Sequence, residues 1–144
     1  PVYAECGGLM YLSRSLQWKD QHCAMVGALP ADAVMHTRPQ GRGYVHLAET
    51  SQSPWPGKSS GDIHAHEFHY SALENLAHKL PFAYQVRRGA GVDGQHDGII
   101  HRNVLACYTH LRDVEQNHWV ERFVAFVRTC RQTLASSQNQ QQSG

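Results

Sequence analysis

The short run Ala4-Glu5-Cys6-Gly7-Gly8 constrains the fold of this chain more than any other feature of its sequence. The apolar residues before this run are typical of a short buried strand, and the apolar residues after it have helical spacing. A side chain held on a tight turn between a strand and a helix needs small residues two positions before it and two positions after it. Ala4 and Gly8 occupy those positions, so the sequence predicts a strand-turn-helix unit with Cys6 on the turn.

Such a turn would favour chemistry at Cys6. It lifts the sulfur clear of the sheet and places it at a helix N-terminus, where the helix dipole and free N–H groups favour the thiolate. The N–H of Gly7 would face the oxyanion that forms during attack on an amide. The alternative is an ordinary buried cysteine between a strand and a helix, but such a cysteine does not require two glycines directly behind it.

A candidate base for this cysteine is His110. It closes the apolar run Val104 to Tyr108 and is followed by Arg112 and Asp113, which predict a turn. Functional side chains in α/β folds lie at the carboxyl ends of the strands, and His110 has that position. We therefore predict that Cys6 and His110 act together.

The rest of the chain predicts a mixture of strands and helices. Strands are expected near residues 24–29, 43–47, 64–70, 82–86 and 99–110, and Ser71 is expected to cap a short helix through Leu80. From Asn117 the apolar residues recur at helical spacing, which predicts a helix that packs on a sheet, with Arg122 largely off the packed face. We divide the chain into one domain, residues 1–134, and a polar tail, residues 135–144, that is expected to be disordered.

Length and composition exclude several classes of protein. The 144 residues suit one domain, and 13 Lys plus Arg against 12 Asp plus Glu leave a net charge of +1, which predicts no nucleic-acid partner. No apolar run approaches the roughly 18 residues of a membrane span, so neither membrane anchor nor signal peptide is expected. The four cysteines form no CxxC pair, which favours the cytoplasm. The start at Pro1, without Met, is interpreted as a cut inside a larger protein.

Three apparent motifs are weak. Residues 89–94 match GxGxxG, but a turn and a strand follow them where a nucleotide-binding motif needs a helix. Gly57-Lys58-Ser59 resembles the end of a phosphate-binding loop, but the leading glycine is missing. Two histidines, His64 and His66, would share one face of a strand, and zinc needs further ligands. We interpret the first two motifs as loops. For the two histidines we expect a polar strand that lines the site, with no bound metal.

Four blocks of the sequence resemble the cobyrinic acid a,c-diamide synthase family in their order and spacing. They are Pro1 to Leu12, Gly43-Tyr44, His66 to Ser71 and Tyr108 to Leu111. The resemblance is to the C-terminal, glutamine-hydrolysing domain of that family and covers nearly all of the chain up to the final helix. Residues 82–111 look most like the branch that amidates sirohydrochlorin or siroheme.

The resemblance implies an α/β fold of the class I glutamine amidotransferase, or flavodoxin-like, type, with helices flanking a sheet that lacks its N-terminal strands. It implies that Cys6 attacks glutamine to form a thioester and release ammonia, with His110 as base and acid. Gly7 and Gly8 would line the oxyanion position, and Glu67 and His69 would lie beside the site. Ammonia would then amidate acetate side chains of a tetrapyrrole that ATP, with Mg²⁺, activates in a separate N-terminal domain.

Two departures from the family pattern matter. Common class I glutamine amidotransferases carry Glu two residues after the catalytic histidine, where this chain has Arg112, so either a dyad operates or Glu67 or Asp113 serves as the third member. The ATP-binding domain is missing, so this chain is expected to bind no cofactor and to be nearly inactive alone. Alternatives are the glutaminase of another amidotransferase, such as cobyric acid synthase, and a degenerate domain that binds tetrapyrrole or metal.

Overall fold

A computed structural model describes residues 1–114 and 117–141 as ten strands and two helices. In chain order they are β1 (Val2–Glu5), α1 (Gly7–Leu12), β2 (Ser15–Trp18), β3 (Gln21–Ala24), β4 (Asp32–Met35), β5 (Gly41–Glu49), β6 (Ile63–His69), β7 (Ser71–Glu74), β8 (Phe82–Arg88), β9 (His96–His101), β10 (Val104–Cys107) and α2 (Trp119–Gln141). No helix within the described ranges has the length and apolar character needed to cross a membrane.

Six strands form the larger sheet in the order β1-β10-β9-β8-β5-β6. The first pair, β1 with β10, is parallel, and the other neighbours in this sheet are antiparallel. The far strand β6 also meets the segment that follows β10, because the N–H of His110 donates to the carbonyl of His66 at 2.8 Å. The sheet therefore curls until its last strand lies beside the end of its second.

The larger sheet packs in two core clusters. One includes residues of α1, which contacts β1 and β10, and the strands β3-β2-β4-β7 form a separate, smaller sheet. Leu9 and Leu29 are fully buried with Ile99, Ala106 and Tyr108 in one core cluster. A second cluster, in which apolar residues of α2 pack against the larger sheet, contains Val45, Leu47, Trp55, Tyr84 and Leu105, with Trp119 and Phe123 from the helix.

The structure confirms a mixed α/β fold with flanking helices, but it differs locally from the sequence expectation. Residues 71–74 form β7 instead of a helix, because Ser71 to Glu74 pair with β4 in a four-residue register. The predicted disordered tail needs a correction for residues 135–141, since α2 continues to Gln141, and the hydroxyls of Ser136 and Ser137 bond to carbonyls one turn earlier. Residues 142–144 lie outside the described residues.

Candidate active site

Cys6 stands on a strained turn between β1 and α1. Its backbone has φ 46° and ψ −100°, a conformation that costs a residue with a side chain on the order of 1–3 kcal/mol. The Cys6 N–H donates to the carbonyl of Cys107 at 2.8 Å, and its own carbonyl accepts the N–H of Met10 at 3.1 Å. Sheet pairing and the first helical hydrogen bond therefore hold both sides of the turn.

The small residues around Cys6 are required by this close approach of strand and helix. A Cβ atom placed on Gly8 would lie 3.3 Å from the Cβ of Ala4, tighter than most real contacts between Cβ atoms. A Cβ atom on Gly7 would meet no atom of the described residues within 4 Å. The need for a residue without a side chain therefore applies to Gly8. Gly7 contributes its N–H, which lies beside the Cys6 sulfur.

His110 follows β10, the parallel neighbour of β1, so Cys6 and His110 come from the same ends of adjacent strands. The His110 ring stacks on the ring of His66, with 4.9 Å between centroids and 16° between planes. Asp97 is fully buried and fixes the two residues before His110. Its carboxylate accepts hydrogen bonds from the N–H groups of Tyr108 and Thr109 and from the Thr109 hydroxyl. The segment that presents His110 is thus fixed on two sides.

Glu5 is a site residue that the sequence reasoning missed. Its Oε2 lies 3.3 Å from Nδ1 of His110, and its Oε1 accepts the N–H of Leu111 at 2.9 Å and the hydroxyl of Tyr3 at 2.6 Å. The available signal was the position of Glu5 at the carboxyl end of β1, directly before Cys6 and beside the strand that leads to His110. Cys6, His110 and Glu5 therefore form one cluster.

Glu67 has a different set of partners from the one predicted. Its carboxylate accepts the N–H groups of Ala90 and Gly91 at 2.7 and 2.9 Å, inside the protein. Burial by itself raises the pKa of this carboxyl, but the nearby His69 ring and the hydrogen bonds from Gly91 and Ala90 outweigh that effect and lower it. Glu67 therefore anchors the glycine-rich loop after β8.

His69 lies under the segment that carries His110. Its Nδ1 is 2.8 Å from the carbonyl oxygen of Ser71, and its ring stacks on Tyr108 with 3.8 Å between centroids. Its Nε2 is 3.5 Å from Oε2 of Glu67, and a side chain at Gly41 would collide with both residues. This buried packing supports the site from beneath instead of contacting its surface.

Asp113, the other predicted third member, lies at the start of the final helix. Its Oδ1 accepts the N–H of Val120 at 3.3 Å, next to the first residue of α2. In that position the carboxylate satisfies one of the free donors at the beginning of the helix.

The electrostatics of Cys6 differ from the sequence expectation. Burial raises the pKa of the Cys6 thiol above its ordinary value, and the hydrogen bond from the Gly7 N–H lowers it by less. The neighbouring carboxylate of Glu5 also raises it. The turn alone therefore does not produce a thiolate, and the thiol needs a base to become a nucleophile.

A surface groove of about 550 Å³ adjoins this cluster. Its lining includes His66, which stacks on His110, and Phe68, whose carbonyl oxygen is 4.0 Å from the Cys6 sulfur. Tyr44 and Phe68 expose their rings along it. The groove is open to solvent and leads to the same end of β6 as the cluster.

The histidine-rich strand does not gather a set of metal ligands. His64 and His66 point to the exposed face of β6, whereas Glu67 and His69 point inward. Within residues 1–114 and 117–141, no group of three or more His, Cys, Asp or Glu side chains is arranged to hold a metal ion.

Comparisons with known proteins give a family and a fold. The family of CobB/CobQ-like glutamine amidotransferase domains matches residues 1–117. Cobyrinate a,c-diamide synthase of Magnetococcus marinus is 45% identical over 128 residues, covering 89% of this chain and 27% of that protein. The protein of the same name from Archaeoglobus fulgidus is 44% identical over 124 residues, covering 86% and 27%. The chain thus spans about a quarter of the length of these relatives.

A solved structure supports the fold. A protein of Thermoplasma acidophilum described as part of a GMP synthase matches with a TM-score of 0.60 and 17% identity, covering 94% of this chain and 61% of that one. At this identity the likeness concerns the arrangement of helices and strands.

Proposed function

Because the chain belongs to the family of CobB/CobQ-like glutamine amidotransferase domains, we propose that it releases ammonia from glutamine with Cys6 as nucleophile and His110 as base. The observation that carries this proposal is the strained turn at Cys6, whose neighbour Glu5 contacts His110. A non-glycine residue held at positive φ beside a histidine-carboxylate pair is typical of an activated nucleophile.

The reaction uses the groups in a defined order. His110 takes the Cys6 proton, and the sulfur attacks the side-chain amide carbon of glutamine, which gives a tetrahedral oxyanion beside the Gly7 N–H. Collapse breaks the C–N bond, His110 returns the proton to the leaving nitrogen, and ammonia departs from a thioester. Water activated by His110 then hydrolyses the thioester, which releases glutamate and restores the thiol.

The raised pKa of Cys6 agrees with this order. Since burial raises the pKa of the Cys6 thiol, a base has to take its proton before the sulfur can attack glutamine. A protonated thiol is also less prone to oxidation and to unproductive reactions between turnovers. The base is therefore as important to this mechanism as the turn.

We propose that this chain is part of a longer protein, since it covers 27% of these relatives, and that the longer protein transfers this ammonia to acetate side chains a and c of cobyrinate, as the names of the relatives suggest. Sirohydrochlorin or siroheme is the alternative acceptor, which the resemblance of residues 82–111 suggests. ATP with Mg²⁺ would transfer its terminal phosphoryl group to these carboxylates, which releases ADP and gives acyl phosphates. Attack of ammonia on each acyl phosphate would then give the amide and release inorganic phosphate.

The two loops that resemble phosphate-binding motifs do not fit an ATP site. The N–H groups of the glycine-rich loop at Ala90 and Gly91 already donate to the carboxylate of Glu67. In the loop that resembles a phosphate-binding motif, the N–H of Ser59 donates to Glu49 at 2.9 Å. Carboxylates therefore occupy the donors that a phosphate would need, so we propose that ATP binds outside this chain.

We propose that residues 1–134 are the C-terminal part of a glutaminase domain that continues before Pro1. Edge strand β1 carries Val2, which is 44% exposed. On α2, Arg122 reaches toward β5, and the half-exposed valines Val120, Val124 and Val127 lie on the opposite flank of the helix. This apolar flank and the strand edge suit a further strand and its covering residues.

The isolated chain is expected to release little glutamate from glutamine, because the site adjoins an open sheet edge. The longer protein is expected to turn over glutamine when ATP and the acceptor are present. Glutamate release by the two proteins at equal concentration measures this difference. Glutaminase activity of the isolated chain equal to that of the longer protein would contradict the expected inactivity, and no glutamate release by the longer protein would contradict the proposed function.

A further inference from the structure

We propose that Glu5 is the positioning carboxylate for His110, so that the residue directly before the nucleophile completes the catalytic set. This inference rests on the proposed function. Within the described residues, Glu5 is the carboxylate that lies within ion-pair distance of the His110 ring, at 3.3 Å between Oε2 and Nδ1.

The Glu5 carboxylate is held in place by two further donors. Its other oxygen, Oε1, accepts the N–H of Leu111 at 2.9 Å and the hydroxyl of Tyr3 at 2.6 Å. The Tyr3 ring is itself packed against Trp55 and Trp119 in the core. Since one oxygen is bound to the backbone next to His110 and the other faces its ring, Glu5 fixes both the position and the orientation of the imidazole.

This contact selects the tautomer that catalysis needs. An ionised carboxylate can only accept hydrogen bonds, so Nδ1 of His110 carries the proton that faces Glu5. In the neutral ring, Nε2 then has the free lone pair that can take the proton of the Cys6 thiol. The carboxylate also stabilises the imidazolium that exists while the proton is on His110.

The topology explains why Glu5 can replace a carboxylate located after the histidine. Parallel pairing sets Glu5 opposite Cys107, so the carboxyl end of β1 lies beside the segment that continues to His110. Arg112 stands two residues after His110, where common class I glutamine amidotransferases carry Glu. The other candidates are engaged elsewhere, Asp113 at the N-terminus of α2 and Glu67 under the glycine-rich loop.

The decisive variant is Glu5→Gln in the longer protein. The Gln amide oxygen can still accept from Leu111 and Tyr3, and its NH₂ group then faces Nδ1 and favours the tautomer with the proton on Nε2. We expect kcat for glutamine hydrolysis to fall by about 10²-fold or more, with KM for glutamine nearly unchanged and ammonia-dependent amidation intact. Glu5→Asp, which keeps the charge, is expected to recover part of kcat.

Controls separate this inference from the proposed function. Asp113→Asn, at the rival carboxylate, is expected to retain nearly full glutaminase activity. Normal glutamine turnover by Glu5→Gln, while Cys6→Ser is inactive, would overturn the assignment of Glu5 and leave the proposed function standing. A parallel loss of ammonia-dependent amidation, or a Glu5→Asp variant as slow as Glu5→Gln, would show that Glu5 serves only the structure. Glutamine turnover by Cys6→Ser would overturn the proposed function.

Discussion

Replacing Cys6 by serine in the longer protein is expected to abolish glutamine-dependent amidation and to leave ammonia-dependent amidation unchanged. A serine hydroxyl fits the same turn, because it is slightly smaller than the thiol and accepts the same backbone conformation. It is a much weaker nucleophile toward an amide in a site built for sulfur, so we expect a fall of at least about 10³-fold in kcat with glutamine. The measurement is the rate of amide formation with glutamine and, separately, with ammonium chloride.

A matched control is available on the same chain. Cys23 is exposed on β3, in the smaller sheet, whereas Cys6 follows β1 of the larger sheet, so Cys23→Ser makes the same change of atom outside the turn and is expected to have no effect on either rate. An equal loss of glutamine-dependent and ammonia-dependent amidation in Cys6→Ser would contradict a role confined to ammonia release. Unchanged rates in Cys23→Ser would show that losing a thiol at another position does not affect amidation.

Of the variants considered, Arg122→Ala is expected to lower the free energy of unfolding most. Arg122 donates to the carboxylate of Glu49 and to the carbonyls of Trp55, Pro56 and Gly57, and both charged side chains are at least nine-tenths buried. Removing Arg122 leaves the buried Glu49 carboxylate without its charged partner, which costs on the order of 3–5 kcal/mol. Chemical denaturation of the variant measures the fall in the free energy of unfolding.

Two variants test the physical cause of that loss. Arg128→Ala removes an exposed arginine from the same helix and is expected to change the free energy of unfolding by less than about 0.5 kcal/mol. Adding Glu49→Gln to Arg122→Ala is expected to recover part of the lost stability, since no buried charge then remains. A double variant less stable than Arg122→Ala alone would contradict the assignment to an uncompensated carboxylate.

The strand-turn-helix unit at Cys6 could be predicted because its requirements are local. Small residues two positions before and after Cys6 are a direct demand of the turn, and the structure places the Cβ of Ala4 against Gly8. The position of His110 at a strand end follows from the apolar pattern of β10 in the same way. Neither prediction required knowledge of which strands are neighbours.

The partners of the site carboxylates could not be predicted, because they depend on strand order. Glu5 reaches His110 only because β1 and β10 are parallel neighbours, although the two residues lie near opposite ends of the sequence. Arg122 was expected off the packed face, but the end of β5 and the loop after it supply a carboxylate and three carbonyls on that flank. Residues 71–74 likewise became a strand because β4 offered an edge, against their local preference for a helix.

The most direct test of the account is covalent labelling of the longer protein by a diazo-ketone analogue of glutamine. The analogue places an electrophilic carbon where the amide of glutamine would lie, so an activated sulfur displaces nitrogen and keeps the label. We predict one label per chain on Cys6, prevented by excess glutamine and strongly slowed in Glu5→Gln. Peptide mapping that finds no label, or finds it on another cysteine with Cys6 unmodified, would contradict the account.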